Sequence, residues 1–336
     1  MIPLLLGVSY PTERRPRPVG LWLFFAVLLL FCGFRFEVGA DWGGYLIIYE
    51  ITQNMDLREA LSSPELGYAL LNWTADWTGL GFPAVVFISS FIFLYGTFCY
   101  ARQTFNPWLA IAVIVPYLVF IISMSGIRQA CAIGIGFLTL AGWQKSSTTR
   151  NVLLIALATS FHNSAVVLLL FPVFSMRRPM SVRILLALGI GFATYAGLDS
   201  SSADKYRSVY LEQGLVSEGA YFHILLTAFP SALYVYFRRR LGAAQAFDPN
   251  VFLASVLTLA ALPLVLVSST GIDRLTLYFS FVQMWVYPAL LRARVMNSIS
   301  LKGSIAVLVL AIFVVYFQFG SHAYTYVPYR NVLFLD

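Results

Sequence analysis

Arg128 and Gln129 stand at the head of "SGIRQACAIGIGFL", a guanidinium and an amide followed at once by a run apolar enough to lie in lipid. A charged side chain at such a place is costly, so it is paired, drawn out to the headgroups, or turned toward a substrate. The residues behind it are small at alternate positions, Ala130, Ala132, Gly134 and Gly136. Small residues let a neighbouring helix approach closely, which puts this face inside a bundle. Arg128 is therefore expected to open on a cavity, and the chemistry available to it there is the binding of an anion.

Other residues suit the same chemistry. Asp273 and Arg274 adjoin in "GIDRLTLYF", Arg35 follows the first apolar run, and Arg330 lies in the aromatic "YVPYRNVL" near the end of the chain. Asp41 and Tyr45 are four apart in "GADWGGYLIIYE" and share a face if that stretch is helical. His162, in "SFHNSAVVLLL", is ionisable and deep in apolar sequence, where it either handles protons or bonds the carbonyls freed by a helix break. Arg274 and the Asp41–Tyr45 pair also have an ordinary reading as anchors in the headgroup layer. His223 and His322 are isolated and read as interfacial residues.

Positioning these groups falls to membrane helices. Of the 336 residues 59% are hydrophobic and 11% charged, with a mean hydropathy of +0.78, far more apolar than a soluble domain. A net charge of +7 would suit nucleic acid, but the basic residues lie between the apolar runs, where they act as topology signals, so nucleic acid is excluded as a partner. Cys32, Cys99 and Cys131 all fall inside apolar runs and suggest neither a disulfide framework nor a metal site. The sequence has no phosphate-cradling glycine loop, no HExxH and no GxSxG, and spacing identifies no glycosidase-like carboxylate pair. The first apolar run follows "ERRPRP" and reads as a retained helix, not a cleaved signal, because Arg35 and Glu37 stand just ahead of the "VGA" that would be the cleavage site.

A helical crossing needs about 20 apolar residues. Runs over 19–35, 81–100, 107–125, 126–143, 151–174, 182–198, 220–237, 251–270, 272–291 and 303–320 predict an all-α, polytopic membrane bundle of about nine to ten spans. Fifteen of the 22 lysines and arginines fall in segments 1–18, 101–106, 144–150, 175–183, 238–250 and 292–302, against two acids, Glu13 and Asp248, which assigns those segments and the N-terminus to the cytoplasm. Run 151–174 has basic residues at both ends, Lys145 and Arg150 before it and Arg177, Arg178 and Arg183 after it. It is accordingly read as a re-entrant hairpin with Ser160 to Ser164 at the tip, a single full crossing being the alternative. The organisation expected is a cytoplasmic arm 1–18, a multi-span region 19–320 with outer segments 36–80 and 199–219, and an outer-face tail 321–336. Within the first outer segment "PELGYALLNWTADWTGLG" reads as an amphipathic surface helix.

Taken together, "SGIRQACAIGIGFL" and "SFHNSAVVLLLFPV", with "GADWGGY", "PELGYALLNW", "DKYRSVY", "DRLTLYF" and "YVPYRNVL" in order, resemble the EpsG family of bacterial membrane proteins, Wzy-like polymerases of exopolysaccharide and O-antigen repeat units. The likeness covers roughly residues 35 to 332. Family members commonly have a Pro-Glu-Pro-Gly-like turn where this chain reads Pro64-Glu65-Leu66-Gly67, and the arm 1–18 has no counterpart. The resemblance implies a glycosyltransferase-type reaction at the outer face of the bacterial inner membrane. A growing glycan would pass from undecaprenyl diphosphate to the non-reducing hydroxyl of a newly flipped lipid-linked unit, with no nucleotide sugar, cofactor or protein-bound metal. The partners it implies are the lipid-linked donor and acceptor, membrane lipid and a chain-length regulator. For such a reaction Arg128 and Arg274 would hold the diphosphate, Gln129 would orient a phosphate or sugar hydroxyl, and Asp41 or His162 would be the general base, with Arg35, Tyr45, Asp273 and Arg330 completing the substrate-binding set. A flippase for lipid-linked oligosaccharide and a membrane O-acyltransferase are the rival readings. One broken helix and charged groups crowded on one face favour an enzyme over a transporter built on paired repeats.

Overall fold

The computed structural model describes residues 2–9, 18–198, 220–266, 269–295 and 297–334. The segment 199–219, with its "DKYRSVY" motif, and the basic part of the N-terminal arm lie outside the described residues. Among the described residues the chain is helical and has no strand, only an isolated antiparallel bridge between Arg35 and Asn331. The helices in order are α1 (Ile2–Ser9), α2 (Pro18–Gly33), α3 (Trp42–Thr52), α4 (Leu57–Leu61), α5 (Leu66–Trp77) and α6 (Gly81–Ala101). Next come α7 (Pro107–Ile114), which runs on through a π-helical stretch, Val115–Ile122, then α8 (Ile127–Ala141), α9 (Thr148–Phe161), α10 (Leu170–Ser175) and α11 (Met180–Leu198). The remainder are α12 (Ala220–Ala243), α13 (Pro249–Ala261), α14 (Ser269–Thr276), α15 (Phe281–Arg292) and α16 (Ser298–Phe319).

Among the described residues five helical stretches are long and apolar enough to cross a membrane: Gly81–Ala101, Pro107–Ser125, Ala220–Ala243, Pro249–Leu266 and Ser298–Phe319. Several of the other apolar runs are shorter or broken. Gly126, at φ −90° and ψ 67°, separates the stretch ending at Ser125 from α8, which over the run 126–143 has 15 residues, about 22 Å against a hydrocarbon core of about 30 Å. The run over 272–291 is split into α14 and α15 by a tight turn, Leu277–Phe279.

The centre of the bundle is α7. It is apolar on every side and buried throughout, as expected of a helix ringed by others. Beside it, α6 and α8 meet backbone to backbone: a Cβ placed on Gly96 would lie 1.8 Å from the Gly134 carbonyl oxygen, and one on Gly134 would lie 2.5 Å from the Phe93 Cα. This is the close approach that the small-residue pattern after Arg128 predicts, and it fixes where the N-terminus of α8 stands.

Residues 151–174 fold back on themselves. The helix ends at Phe161, His162 is extended at φ −156° and ψ 120°, and the chain returns through Asn163–Leu169 and α10. The return brings the Phe171 ring to 6.1 Å from that of Trp143, whereas an unbroken helix would hold residues 143 and 171 about 42 Å apart. The C-terminal segment crosses the end of the bundle as a strap. Phe36 N donates to Arg330 O at 3.0 Å, Val332 N to Phe34 O at 2.8 Å, Tyr326 Oη to Ile121 O at 3.0 Å, and Tyr329 stacks on Phe31 at 4.2 Å.

Candidate active site

Glu65 is the hub on which the predicted groups converge. It precedes α5 at the N-cap position, yet its side chain caps no backbone N–H. The carboxylate instead accepts from Nη1 of Arg128 and, at 2.7 Å, from Nδ1 of His162. Two features of the backbone make this possible. Gly67 allows α5 to press on the helix break, since a Cβ there would lie 2.5 Å from Ser160 Oγ and 2.9 Å from the Phe161 ring. Ending α9 at Phe161 then leaves the His162 side chain free to reach across.

The Arg128 guanidinium also lies over two aromatic rings, 5.6 Å from that of Tyr45 and 6.0 Å from that of Tyr68, each a cation–π contact. Among the described residues its Nε is buried without a hydrogen-bond partner, while the side chain as a whole stays 36% exposed against 14% for Glu65 and 17% for His162. The cation is thus held from behind and open in front. Burial alone would raise the Glu65 carboxyl, but the His162 hydrogen bond and the Arg128 charge outweigh it and hold Glu65 below its usual range. An ionised carboxylate only accepts, so Nδ1 of His162 carries the proton of this bond, an arrangement in which the neutral tautomer has its lone pair on Nε2.

The second wall comes from α3, α14 and the tail. Gln129 Nε2 donates to the backbone oxygen of Arg274 at 2.8 Å, tying α8 to α14. Asp41, at the start of α3, makes no capping bond. Withdrawal from water raises its carboxyl above the usual range, and the charges of Arg274, His322 and Arg128 only partly offset this. Ser164 Oγ and Tyr278 Oη meet at 3.0 Å between the hairpin tip and the turn after α14.

Arg128 and His162 are thus joined through Glu65, Tyr45 packs on Arg128, Gln129 is tied to the Arg274 backbone, and Asp41 lies within the field of both arginines. Two of the expected substrate residues stand apart. Arg35 is 2% exposed, with its guanidinium donating to Cys32 O at 2.6 Å, Ser90 Oγ at 3.2 Å and Met124 O at 3.1 Å. Enclosed in this way it ties the end of α2 to α6 and to the end of the α7 stretch, and its printed contacts include none with Glu65, Arg128 or His162. Arg330 pairs with Glu37 at the surface, both side chains about half exposed, and serves to fasten the strap. Sequence reasoning missed Glu65 and Tyr68. It also set aside His223, which the structure places 3.5 Å from Oδ2 of Asp273. The signal available for Glu65 was its position inside "PELGYALLNW", one of the motifs shared with the family the sequence resembles.

The family model of the EpsG family matches residues 20–331, nearly the whole chain. No curated protein and no solved structure matches it.

Proposed function

The chain belongs to the EpsG family, and we propose that it polymerises undecaprenyl-diphosphate-linked oligosaccharide repeat units into exopolysaccharide or O-antigen at the outer face of the bacterial inner membrane. The observation that carries this reading is the Arg128–Glu65–His162 cluster, a forward-facing cation and a proton-accepting imidazole held by one carboxylate. Arg128 and Arg274 receive the donor diphosphate. The planar guanidinium suits phosphate oxygens and stabilises the charge that grows on them as the anomeric C–O bond breaks. Nε2 of His162 takes the proton of the acceptor hydroxyl as its oxygen bonds to the anomeric carbon, and Glu65 fixes the tautomer and steadies the imidazolium. Gln129, whose amide nitrogen is committed to Arg274 O, offers its carbonyl oxygen to a sugar hydroxyl. Asp41 is a second carboxylate beside Arg274 and the alternative base.

The test uses purified protein in liposomes with one defined lipid-linked repeat unit, without nucleotide sugar and with chelator present. A ladder of lengthened lipid-linked glycans is expected. Translocation of the unit across the bilayer without lengthening would replace this reading with the flippase.

A further inference from the structure

Tyr117, His223 and Asp273 form a second polar cluster that shares a wall with the first. His223 Nδ1 lies 3.5 Å from Asp273 Oδ2, and the Tyr117 ring packs on the imidazole with centroids 4.3 Å apart. The link to the first cluster is the Gln129–Arg274 hydrogen bond, because Arg128 and Asp273 are the sequence neighbours of its two partners.

Two polar atoms in the second cluster are unspent. Among the described residues the Tyr117 hydroxyl and Asp273 Oδ1 are buried with no hydrogen-bond partner, and Tyr117 as a whole is 5% exposed. Buried polar groups are nearly always paired, so two orphans around one imidazole mark a place where a ligand completes the bonding. His223 and Asp273 keep 20% and 14% of their side-chain surface, which leaves a way in. Tyr117 also sits on the π-helical stretch Val115–Ile122, a rare geometry that recurs at functional sites because the extra residue per turn re-aims side chains.

The chemistry of the three groups selects the ligand. A phenol donates and accepts, a carboxylate accepts, and the far nitrogen of the imidazole does either, a set that matches neighbouring sugar hydroxyls. The Asp273 carboxylate repels a diphosphate, which the Arg128 side of the wall attracts. We propose that Tyr117, His223 and Asp273 are the subsite that holds the hydroxyls of the acceptor sugar, apart from the diphosphate held at Arg128. This rests on the polymerase reading, and it pairs a cationic donor subsite with a hydroxyl-binding acceptor subsite across the Gln129–Arg274 link.

The probe is the repeat-unit oligosaccharide freed from its lipid carrier, used as a soluble acceptor with full-length protein in nanodiscs. Saturation-transfer NMR should detect its binding to the wild type and to Glu65→Gln, and lose it in Tyr117→Phe and Asp273→Asn. With labelled lipid-linked donor, the same two variants should raise KM for the soluble acceptor at least 10-fold, lower kcat by less than that, and leave KM for the donor unchanged. Acceptor binding and acceptor KM that match wild type in a folded variant would overturn the assignment. Should one variant fail to fold, the other decides. A wild type that binds the oligosaccharide but makes no ladder would overturn the polymerase reading while leaving the hydroxyl subsite standing, so the two failures are distinguishable.

Discussion

Arg35 and Arg128 sit at helix ends on the same side of the bundle, and the fold treats them in opposite ways. The carbonyl of Met124 that receives Arg35 is only four residues from Arg128. Arg35 has its donors spread over two backbone oxygens and a serine, at 2% exposure; Arg128 has one carboxylate behind it, two aromatic rings beside it and an open front. Arginine near a span end is therefore not one signal but two. What separates them is the kind of partner and the exposure: each leaves its Nε without a partner among the described residues, but carbonyls and a hydroxyl enclose the Arg35 Nη atoms, whereas a single carboxylate orients Arg128 and its side chain stays open to solvent.

The sharpest test of this contrast is a pair of substitutions. Arg128→Ala should cut polymer formation by about 10² to 10³ while leaving the amount of folded protein unchanged, as read by gel filtration and by product ladders. Arg35→Met should do the reverse: it strips the donors from buried carbonyls and lowers stability by on the order of 3 kcal/mol, seen as loss of the monodisperse peak and a lower Tm. An Arg35→Met protein that folds normally but makes no polymer would keep Arg35 in the substrate-binding set.

Glu65→Gln probes the partner and not the cation. The amide keeps the shape but cannot hold the His162 tautomer, so the rate should fall by roughly 10², with less effect on folding than Arg35→Met. The same variant gives a pH test. The folded state holds the Glu65 carboxyl below its unfolded value, so the stability it contributes is fully present above that value and is lost as pH falls through the lower folded one. The Tm difference between wild type and Glu65→Gln should therefore be constant above about pH 5 and shrink below about pH 4. A difference that instead vanished between pH 6 and 7 would mean that the carboxyl is not held low. The smallest effect belongs to Arg330→Ala. Its ion pair with Glu37 is half exposed, so its removal should cost less than about 1 kcal/mol and leave the product ladder intact.

Why Arg128 and His162 were legible while Glu65 was not follows from contrast. A charge or an imidazole inside apolar sequence stands out because lipid has no place for it, and the fold-back at His162 was readable from basic residues at both ends of one apolar run. Glu65 sits in "LSSPELGY", where acids are unremarkable, and its reach to Arg128 and His162 depends on long-range packing through Gly67 that no local pattern encodes. The contacts of His223 were hidden for the same reason: its partners Asp273 and Tyr117 are 50 and 106 residues away in sequence. Arg35 looked like Arg128 because hydropathy registers where a charge is, not which atoms face it. The all-helical fold followed from composition and periodicity, and the break at Gly126 coincides with the boundary between runs 107–125 and 126–143, but the turn Leu277–Phe279 falls inside an unbroken apolar run and was not legible.

The contact between Gly96 and Gly134 has a mechanical consequence. Where two helices touch backbone to backbone, neither can slide or rotate past the other without carbonyl meeting Cα, so α6 and α8 behave as one beam and Arg128 is bolted near its end. A reaction centre on such a beam has one fixed jaw. The groups that face Arg128 come from short helices, α5 and α14, and two side-chain bonds, at Glu65 and Gln129, set their register against the beam.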